Sequence, residues 1–387
     1  MDLSTLSTNL RRVRVASGRS QAEVANVAGI TRVAYRNIEA GAAAPRINTV
    51  MAIAKALEVD MGDLFTPVRE LKGVRFRALK KLNSREQVLA EVSRWLDDYR
   101  EVEDLVGNTE EFAFEPVATE LSKMAHGRER AVTAAARARS LVKLAPTELI
   151  RDVCGLLEDH GVKVFTPEVA SEGFFGLSVA GGSDGGPAVV VNVWERISVE
   201  RWIFTAAHEL GHLLLHLSSY NVDETSEDKD QELEANTFAS HFLMPEKPFR
   251  KEWEEARGLG LVERVLKVKS IFRVSYATVL YRASTDLGIG ERIWPMFATA
   301  YKAQFGHALA KIEEPHGLLP EDFVAGSPAS GRADEPEHLR RWGFVHDRLS
   351  RLVRMAVEDQ KISLSRAAEI LGVDLETMRA RANSWLE

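Results

Sequence analysis

The chain has 387 residues, enough for two or three domains of ordinary size. Hydrophobic residues make up 45% of it and charged residues 28%, which excludes a chain that is disordered throughout. The formal net charge of −7 argues against general nucleic-acid binding by the whole surface, and the single cysteine excludes an internal disulfide. A lone thiol fits a reducing compartment, and neither a membrane-length apolar run nor a secretory signal is visible. We therefore expect a cytoplasmic protein without membrane contact.

Residues 10–65 have the pattern of short helices joined by tight turns. Ser20 can cap a helix over 21–28, Gly29 can end that helix, and Thr31 can cap the next one. Residues 10–46 contain seven arginines and two acidic residues, whereas residues 97–120 are strongly acidic. This combination predicts a separate small helical module with a positively charged surface.

The module resembles the phage-repressor (Xre-type) helix-turn-helix in the runs LRRVR, SQAEVANVAGIT, NIEAG and TVMAIAKALEVDMGDLF. The resemblance implies a five-helix domain over 1–67 that binds a double-stranded DNA operator, with the second helix of the motif in the major groove. One small module rarely binds specifically, so we expect a homodimer on a two-fold operator. The alternative is a repressor-like fold used only for protein contact. The candidate DNA contacts are Gln21, Thr31, Arg32, Tyr35 and Arg36.

The residue pattern changes along the middle of the chain. Residues 68–127 are predicted to form a helical linker, because LKGVRFRALKKL is basic and amphipathic and VLAEVSRWLDDYREVEDLV is acidic. From about residue 162, the short β-rich runs VKVFTPEV, GFFGLSV and PAVVVNV are separated by glycine and proline, which predicts a small sheet. Helices resume at Val199.

The most informative stretch is HELGH at residues 208–212. Residues four apart share one face of a helix, so His208 and His212 can bind one zinc ion. Glu209 can then reach a metal-bound water and accept its proton. The surrounding helix is apolar nearly all round, where these polar groups would be costly without a metal or hydrogen-bond partners. The alternative is a hydrogen-bonded histidine pair in an ordinary core helix.

A third ligand is expected from the downstream run QELEANTFA. Glu232 and Glu234 are two residues apart, roughly 200° around a helix, so both cannot point at one metal. If the apolar residues from Phe238 onward form the buried stripe, Glu234 shares that stripe and Glu232 points away. We therefore predict Glu234 as the ligand that completes a catalytic site of two histidines and a glutamate.

HELGHLLLH followed by E-x-EAN-x-FASHFLMP resembles the ImmA/IrrE family of zinc metallopeptidases, as do GFFGLSV, PAVVVNV and VSYATVLYR. The resemblance covers about residues 128–285. It implies a thermolysin-like minimal fold, with a three-stranded sheet packed on active-site helices. It also implies His208, His212 and Glu234 as ligands of Zn²⁺ or Mn²⁺, and Glu209 as general base.

The residue that would stabilise the oxyanion is less defined, with Tyr276 and His241 as the candidates. The family cuts helix-turn-helix repressors and lifts repression after stress, so the implied substrate is such a repressor, an antitoxin or the chain itself. We expect latency, from the acidic segment 97–120 or from carboxy-terminal helices that cover the cleft. The alternative is a transcription factor or antitoxin-like protein whose peptidase-like domain senses or binds a partner, with little or no proteolysis.

The remaining residues, 286–387, are predicted to form a helical carboxy-terminal domain. Within it, ISLSRAAEILGVDLETMRARANSW at 362–385 has the pattern of two short helices around Gly372, a candidate second helix-turn-helix-like unit. A small docking domain is the alternative. The whole chain is thus predicted to be multi-domain and mainly α, with a small α+β part.

Overall fold

The computed structural model describes residues 3–57, 59, 61–65, 71, 73–78, 85–169, 174–182, 185–220, 228–309 and 335–385. The protein is mostly helical with one small sheet, which confirms the predicted multi-domain, mainly α architecture with a small α+β part. It divides into two compact units, one formed by Met1–Leu71 with Asn83–Asp98 and the other by Lys72–Leu82 with Tyr99–Glu387. Within the ranges given above, no helix combines the length and apolar character needed to cross a membrane.

The first unit begins with four α-helices and a short 3₁₀ helix. They are α1 (Leu3–Ala16), α2 (Gln21–Val27), α3 (Arg32–Glu39), α4 (Ile47–Leu57) and the 3₁₀ helix Gly62–Leu64. The fifth predicted helix is therefore a single 3₁₀ turn. Ser20 and Glu23 form a capping box at the start of α2, and Gly29 joins α2 to α3 with a φ of +69°, a conformation that favours glycine.

A buried ion pair ties the first three helices together. The guanidinium of Arg14 on α1 donates to both carboxylate oxygens of Glu39 on α3, at 2.7 and 2.8 Å. Gln21 at the start of α2 donates from Nε2 to Glu39 Oε1 at 2.9 Å. Burial alone would raise the pKa of Glu39, but Arg14 and Gln21 hold it below its ordinary value.

The second unit contains a four-stranded sheet in the order β1–β3–β4–β2. The strands are β1 (Val74–Ala78), β2 (Lys163–Phe165), β3 (Phe174–Val179) and β4 (Ala188–Val191). β3 is antiparallel to β1 and β4, whereas β2 and β4 are parallel. The three predicted strands are β2, β3 and β4, so the structure adds one strand to the expected sheet.

The added strand corrects the predicted helical linker. β1 lies within LKGVRFRALKKL, where the sequence analysis expected a basic helix. Basic and apolar residues alternate over 74–78, so the run also has the period of a strand. Pairing with β3 decides between the two periods, because tertiary contacts override weak local preference.

The other elements of the second unit are helical. They are α5 (Arg85–Val106, which begins in the first unit), α6 (Glu115–Leu121), α7 (Arg128–Leu141), α8 (Val153–Glu158), α9 (Val199–Leu215), α10 (Lys229–Leu243), α11 (Glu246–Glu255), α12 (Leu261–Phe272), α13 (Tyr276–Asp286), α14 (Ile293–Phe305), α15 (Arg348–Glu358), α16 (Leu364–Ile370) and α17 (Leu375–Ser384).

The centre of the unit is α9, which packs against β3, β4 and α10. Nearly all of its residues are buried, as the apolar sequence predicted. Gly211 lies where α9 crosses α10, and a Cβ there would stand 2.9 Å from the ring of Phe238. The glycine of the HELGH run therefore allows α10 to approach closely, with its two glutamates beside the histidines.

The chain from residue 335 onward is attached to this core. Lys269 on α12 reaches Glu200 on α9 at 3.0 Å and Glu335 at 2.9 Å, and all three side chains are buried. Phe344 packs edge-on against Trp202 of α9. The segment that leads into α15 is thus part of the packing around the start of α9.

The last two helices repeat the local geometry of α2 and α3. Ser363 caps α16, Gly372 has a φ of +61°, and Asp374 caps α17. These three residues have the same spacing as Ser20, Gly29 and Thr31. The residues 362–385 therefore form a helix-turn-helix-like pair, and its role remains a prediction.

Replacing Glu39 by Gln should lower the free energy of opening of α3 by about 1–2 kcal/mol at neutral pH, because the charge-assisted bonds from Arg14 are lost. The stabilisation by Glu39 is complete above the unfolded pKa of about 4.3 and is lost as the pH falls through the lower folded pKa. Hydrogen exchange of the α3 amides between pH 3 and 7 measures both effects. A difference between the two proteins that persists undiminished at pH 3 would contradict the ion pair as the cause.

Candidate functional site

Three side chains of the second unit converge inside the protein. His208 and His212 lie one turn apart on α9, with their Nε2 atoms 2.9 Å apart. The carboxylate of Glu232 on α10 stands 3.3 Å from His208 Nε2 and 3.1 Å from His212 Nε2. Both imidazoles are buried, and Glu232 is partly buried beside them. These atoms form a compact group of metal-ligand type.

Hydrogen bonds on the far side of each ring fix its tautomer. His208 Nδ1 lies 3.0 Å from Asn236 Oδ1, His212 Nδ1 lies 2.9 Å from His216 Nδ1, and His216 Nε2 lies 2.8 Å from Glu234 Oε2. A carboxylate only accepts, so His216 carries its proton on Nε2 and accepts at Nδ1 from His212. His208 likewise donates from Nδ1 to the amide oxygen. The Nε2 atoms of His208 and His212 therefore both present lone pairs to each other.

This group fits a divalent cation. Burial, with His208 beside it, lowers the pKa of His212 to about 3, so the ring is neutral. Two lone pairs and a carboxylate that face one another repel unless a cation lies between them. Ligands of a tetrahedral zinc ion stand about 3.3 Å apart, close to the separations found here.

The predicted third ligand, Glu234, is wrong for this group. Its carboxylate accepts from the backbone N–H of Gly127, lies 3.2 Å from Arg130 Nη1, and binds His216. The reason is that α10 lies between α9 and α7 and is buried on two sides, whereas the prediction assumed one buried stripe. Glu234 is buried toward α7, and Glu232 meets the histidines.

Glu234 also belongs to a second group of possible ligands, with His126 and His216. The guanidinium of Arg130 lies 2.9 Å from His126 Nδ1 and 3.2 Å from Glu234 Oε2. A fixed cation thus already stands where a metal ion would, and it always carries its charge. We therefore assign this group to the support of His212 and not to metal binding.

Glu209 is held by a chain of hydroxyl groups. Its Oε2 accepts from Ser178 Oγ on β3 at 2.7 Å, and Ser178 Oγ accepts from the hydroxyl of Tyr220 at 2.8 Å. Glu209 and Ser178 are buried next to His208. Neither Ser178 nor Tyr220 is predicted from the sequence as part of the site. A serine in a fully buried strand was the available signal for the first of them, since buried polar groups need partners.

The candidates for the oxyanion donor lie in other groups. Tyr276 stacks on Phe297, and its backbone N–H donates to Glu335 at 2.9 Å. His241 Nε2 faces Asp286 at 3.7 Å. The tyrosine that the structure joins to Glu209, through Ser178, is Tyr220, so these contacts lend Tyr276 no support as a catalytic residue.

On the helix-turn-helix, the predicted DNA contacts separate into two sets. Tyr35 is fully buried in the core, one turn from the buried Ile38, so it is wrong as a reader of bases. Arg32 and Arg36 are exposed on α3. Thr31 caps α3 by accepting from the N–H of Ala34 at 3.1 Å, and Gln21 is bound to Glu39. Of the predicted contacts on α3, Arg32 and Arg36 thus remain candidates for DNA binding.

Comparison with known families finds two separate domains, one for each of the two groups of residues described above. Residues 157–284 match the model of a peptidase family described as IrrE N-terminal-like domain, and residues 10–64 match the model described as Helix-turn-helix. The chain is therefore a fusion of a helix-turn-helix domain with an IrrE-like peptidase domain, as the sequence predicted. A comparison with curated proteins gives no match.

Replacing His216 by Ala should weaken zinc binding about 10–100-fold, because His212 loses the acceptor that holds its tautomer and its ring orientation. His216→Asn should recover much of the affinity, since its amide oxygen can accept near the former position of Nδ1. Competition with a chelator of known affinity gives the dissociation constants.

The matched control is His241→Ala, which removes another buried histidine that contacts Asp286. Its zinc affinity should stay within about two-fold of that of the unchanged protein. Equal affinities for His216→Ala and the unchanged protein would contradict the role given to His216.

Replacing Arg36 by Ala should weaken binding to operator DNA by about 1–3 kcal/mol, because an exposed α3 arginine is lost. Tyr35→Phe keeps the buried ring and should leave the dissociation constant unchanged. Fluorescence anisotropy with upstream DNA at one fixed salt concentration makes the comparison. The outcome that speaks against the exposed face of α3 is equal binding by Arg36→Ala and the unchanged protein.

Proposed function

We propose that this chain is a DNA-binding regulator with a metal-dependent endopeptidase centre. One observation carries the proposal, namely the convergence of the imidazoles of His208 and His212 and the carboxylate of Glu232 beside the buried Glu209. The match to an IrrE-like peptidase domain supports the same chemistry. His208, His212 and Glu232 would hold the cation, with Zn²⁺ favoured by two nitrogen ligands and one oxygen ligand and Mn²⁺ as an alternative.

The cation would polarise the scissile carbonyl and stabilise the negative charge that develops on its oxygen. Glu209 accepts a proton from the attacking water as the water oxygen bonds to the carbonyl carbon. It then returns that proton to the amine nitrogen as the carbon–nitrogen bond breaks, so that one water is consumed and an acid and an amine are formed. Ser178 holds one oxygen of Glu209 at 2.7 Å and thereby orients the carboxylate.

We infer a protein substrate of the repressor or antitoxin class, or the chain itself, with cleavage in response to stress. The helix-turn-helix match supports recruitment to an operator, where such repressors are found. A homodimer would match a two-fold operator. The second candidate is a regulator whose peptidase-like domain binds a partner without cutting it, and the following experiment separates the two.

Replacing Glu209 by Gln should lower hydrolysis by at least about 10²-fold while metal content stays the same, because only the proton acceptor is lost. Both proteins are incubated with zinc or manganese and the product of a neighbouring gene, and all chains are then analysed by intact mass. Elemental analysis of the same samples gives the metal content.

Two results would count against this proposal. Undiminished turnover by Glu209→Gln would remove Glu209 from the mechanism. Stoichiometric metal in both proteins, with neither the partner nor the chain itself cut, would favour the regulator that binds without proteolysis. Glu232→Ala, which lacks one expected ligand, should hold the metal least well of the three proteins.

A further inference from the structure

We propose that β1 occupies, in cis, the sheet edge to which an extended peptide substrate binds. The inference rests on the proposed endopeptidase function and names how that site recognises and excludes substrates. β1 is the end strand of the sheet and pairs antiparallel with β3, with Arg75 opposite Ser178 and Arg77 opposite Gly176. Backbone pairing extends to Gly73, whose carbonyl accepts from the N–H of Ala180 at 2.8 Å.

β3 is the strand that contacts the proposed general base, Glu209 of α9. Ser178 donates to Glu209, and a Cβ at Gly176 would stand 3.5 Å from Glu209 Cγ. A peptide bond cut with the help of Glu209 must therefore lie beside this part of β3. Extended peptides bind such edges by adding a strand, at a spacing of about 4.8 Å. The backbone of residues 75–77 already takes that place.

A side chain also ties β1 to the metal-ligand group. Directly paired residues of neighbouring strands point to one face, so Arg75 lies on the same face as Ser178. Arg75 Nη1 donates to Gln231, and Nη2 lies 3.3 Å from Glu232 Oε1. The side chain of Arg75 thus connects the sheet to α10 at Glu232, the carboxylate that we propose as a ligand of the cation.

β1 is the one strand of the described sheet that lies outside the segment matched by the peptidase family. β2, β3 and β4 all lie within residues 157–284, which match the peptidase family, whereas β1 comes from the connector that follows the helix-turn-helix. An unpaired β3 edge would offer a row of backbone donors and acceptors to another chain. A protein substrate must displace β1 from this edge before it is cut.

The experiment weakens the pairing of β1 with β3 and measures how well a peptide then binds, so that its readout does not depend on hydrolysis. Since Gly73 and Ala180 are a hydrogen-bonded pair, the alternation of an antiparallel ladder makes Arg77 and Gly176 another. Arg77→Pro removes that donor and Arg77→Ala keeps it, while both variants lack the arginine side chain. The probe is a fluorescein-labelled peptide with the sequence of residues 71–82, titrated into each full-length protein and followed by anisotropy, with a scrambled peptide as reference.

The peptide should bind Arg77→Pro at least ten-fold more tightly than Arg77→Ala or the unchanged protein. Arg75→Ala, which keeps the backbone and loses the contact with α10, should show a several-fold increase and decides the matter if Arg77→Pro does not fold. Equal binding by a folded Arg77→Pro and Arg77→Ala, or by Arg75→Ala and the unchanged protein, overturns the inference and leaves β1 as a structural strand. Tight peptide binding by Arg77→Pro with no hydrolysis in any metal-loaded protein would instead place the failure with the proposed function.

Discussion

The close crossing of α9 and α10 is the constraint on which the rest of the site depends. At Gly211 the two helices meet without an intervening side chain, and Phe238 fills the space. Only at this separation can Glu232 reach His208 and His212, and only there can Asn236 and Glu234 satisfy the outer nitrogens of the histidine chain. Three buried imidazoles in an apolar helix would otherwise leave unpaired polar atoms, which are costly inside a protein. The contact between α9 and α10 therefore both packs the two helices and brings together the side chains of the metal-ligand group.

Local periodicity was sufficient for the parts of the site that lie on one helix. The spacing of His208 and His212 and the position of Glu209 followed from the turn of an α-helix, and the β-rich runs predicted β2 to β4. The choice between Glu232 and Glu234 required knowledge of how many sides of α10 are buried, which a single sequence does not contain. Glu234 was singled out as important, yet it acts one step away, through His216.

Other differences share the same physical origin. The side chain of Tyr35 was expected on the DNA side of α3. Successive side chains of a helix are about 100° apart around its axis, so a buried residue and an exposed one can be neighbours in the sequence, as Tyr35 and Arg36 are. β1 was expected to be helical, because its alternating arginines satisfy both periods and only the edge of β3 selects one. Ser178 meets Glu209 from a strand and Tyr220 meets Ser178 from a loop, and such contacts between distant segments have no local signature.

The ammonium group of Lys269 has a bearing on where the folded unit around the metal-ligand group ends. It joins Glu200, at the amino-terminal end of the helix that carries the histidines, to Glu335, which lies 51 residues beyond the last residue of the family match. A chain cut at residue 284 would keep the metal-ligand group and the proposed general base, Glu209. It would also lose a carboxylate from a buried charge cluster and the aromatic cover that Phe344 gives Trp202. The matched segment is thus shorter than the folded unit, which extends beyond residue 284 to include at least Glu335 and Phe344.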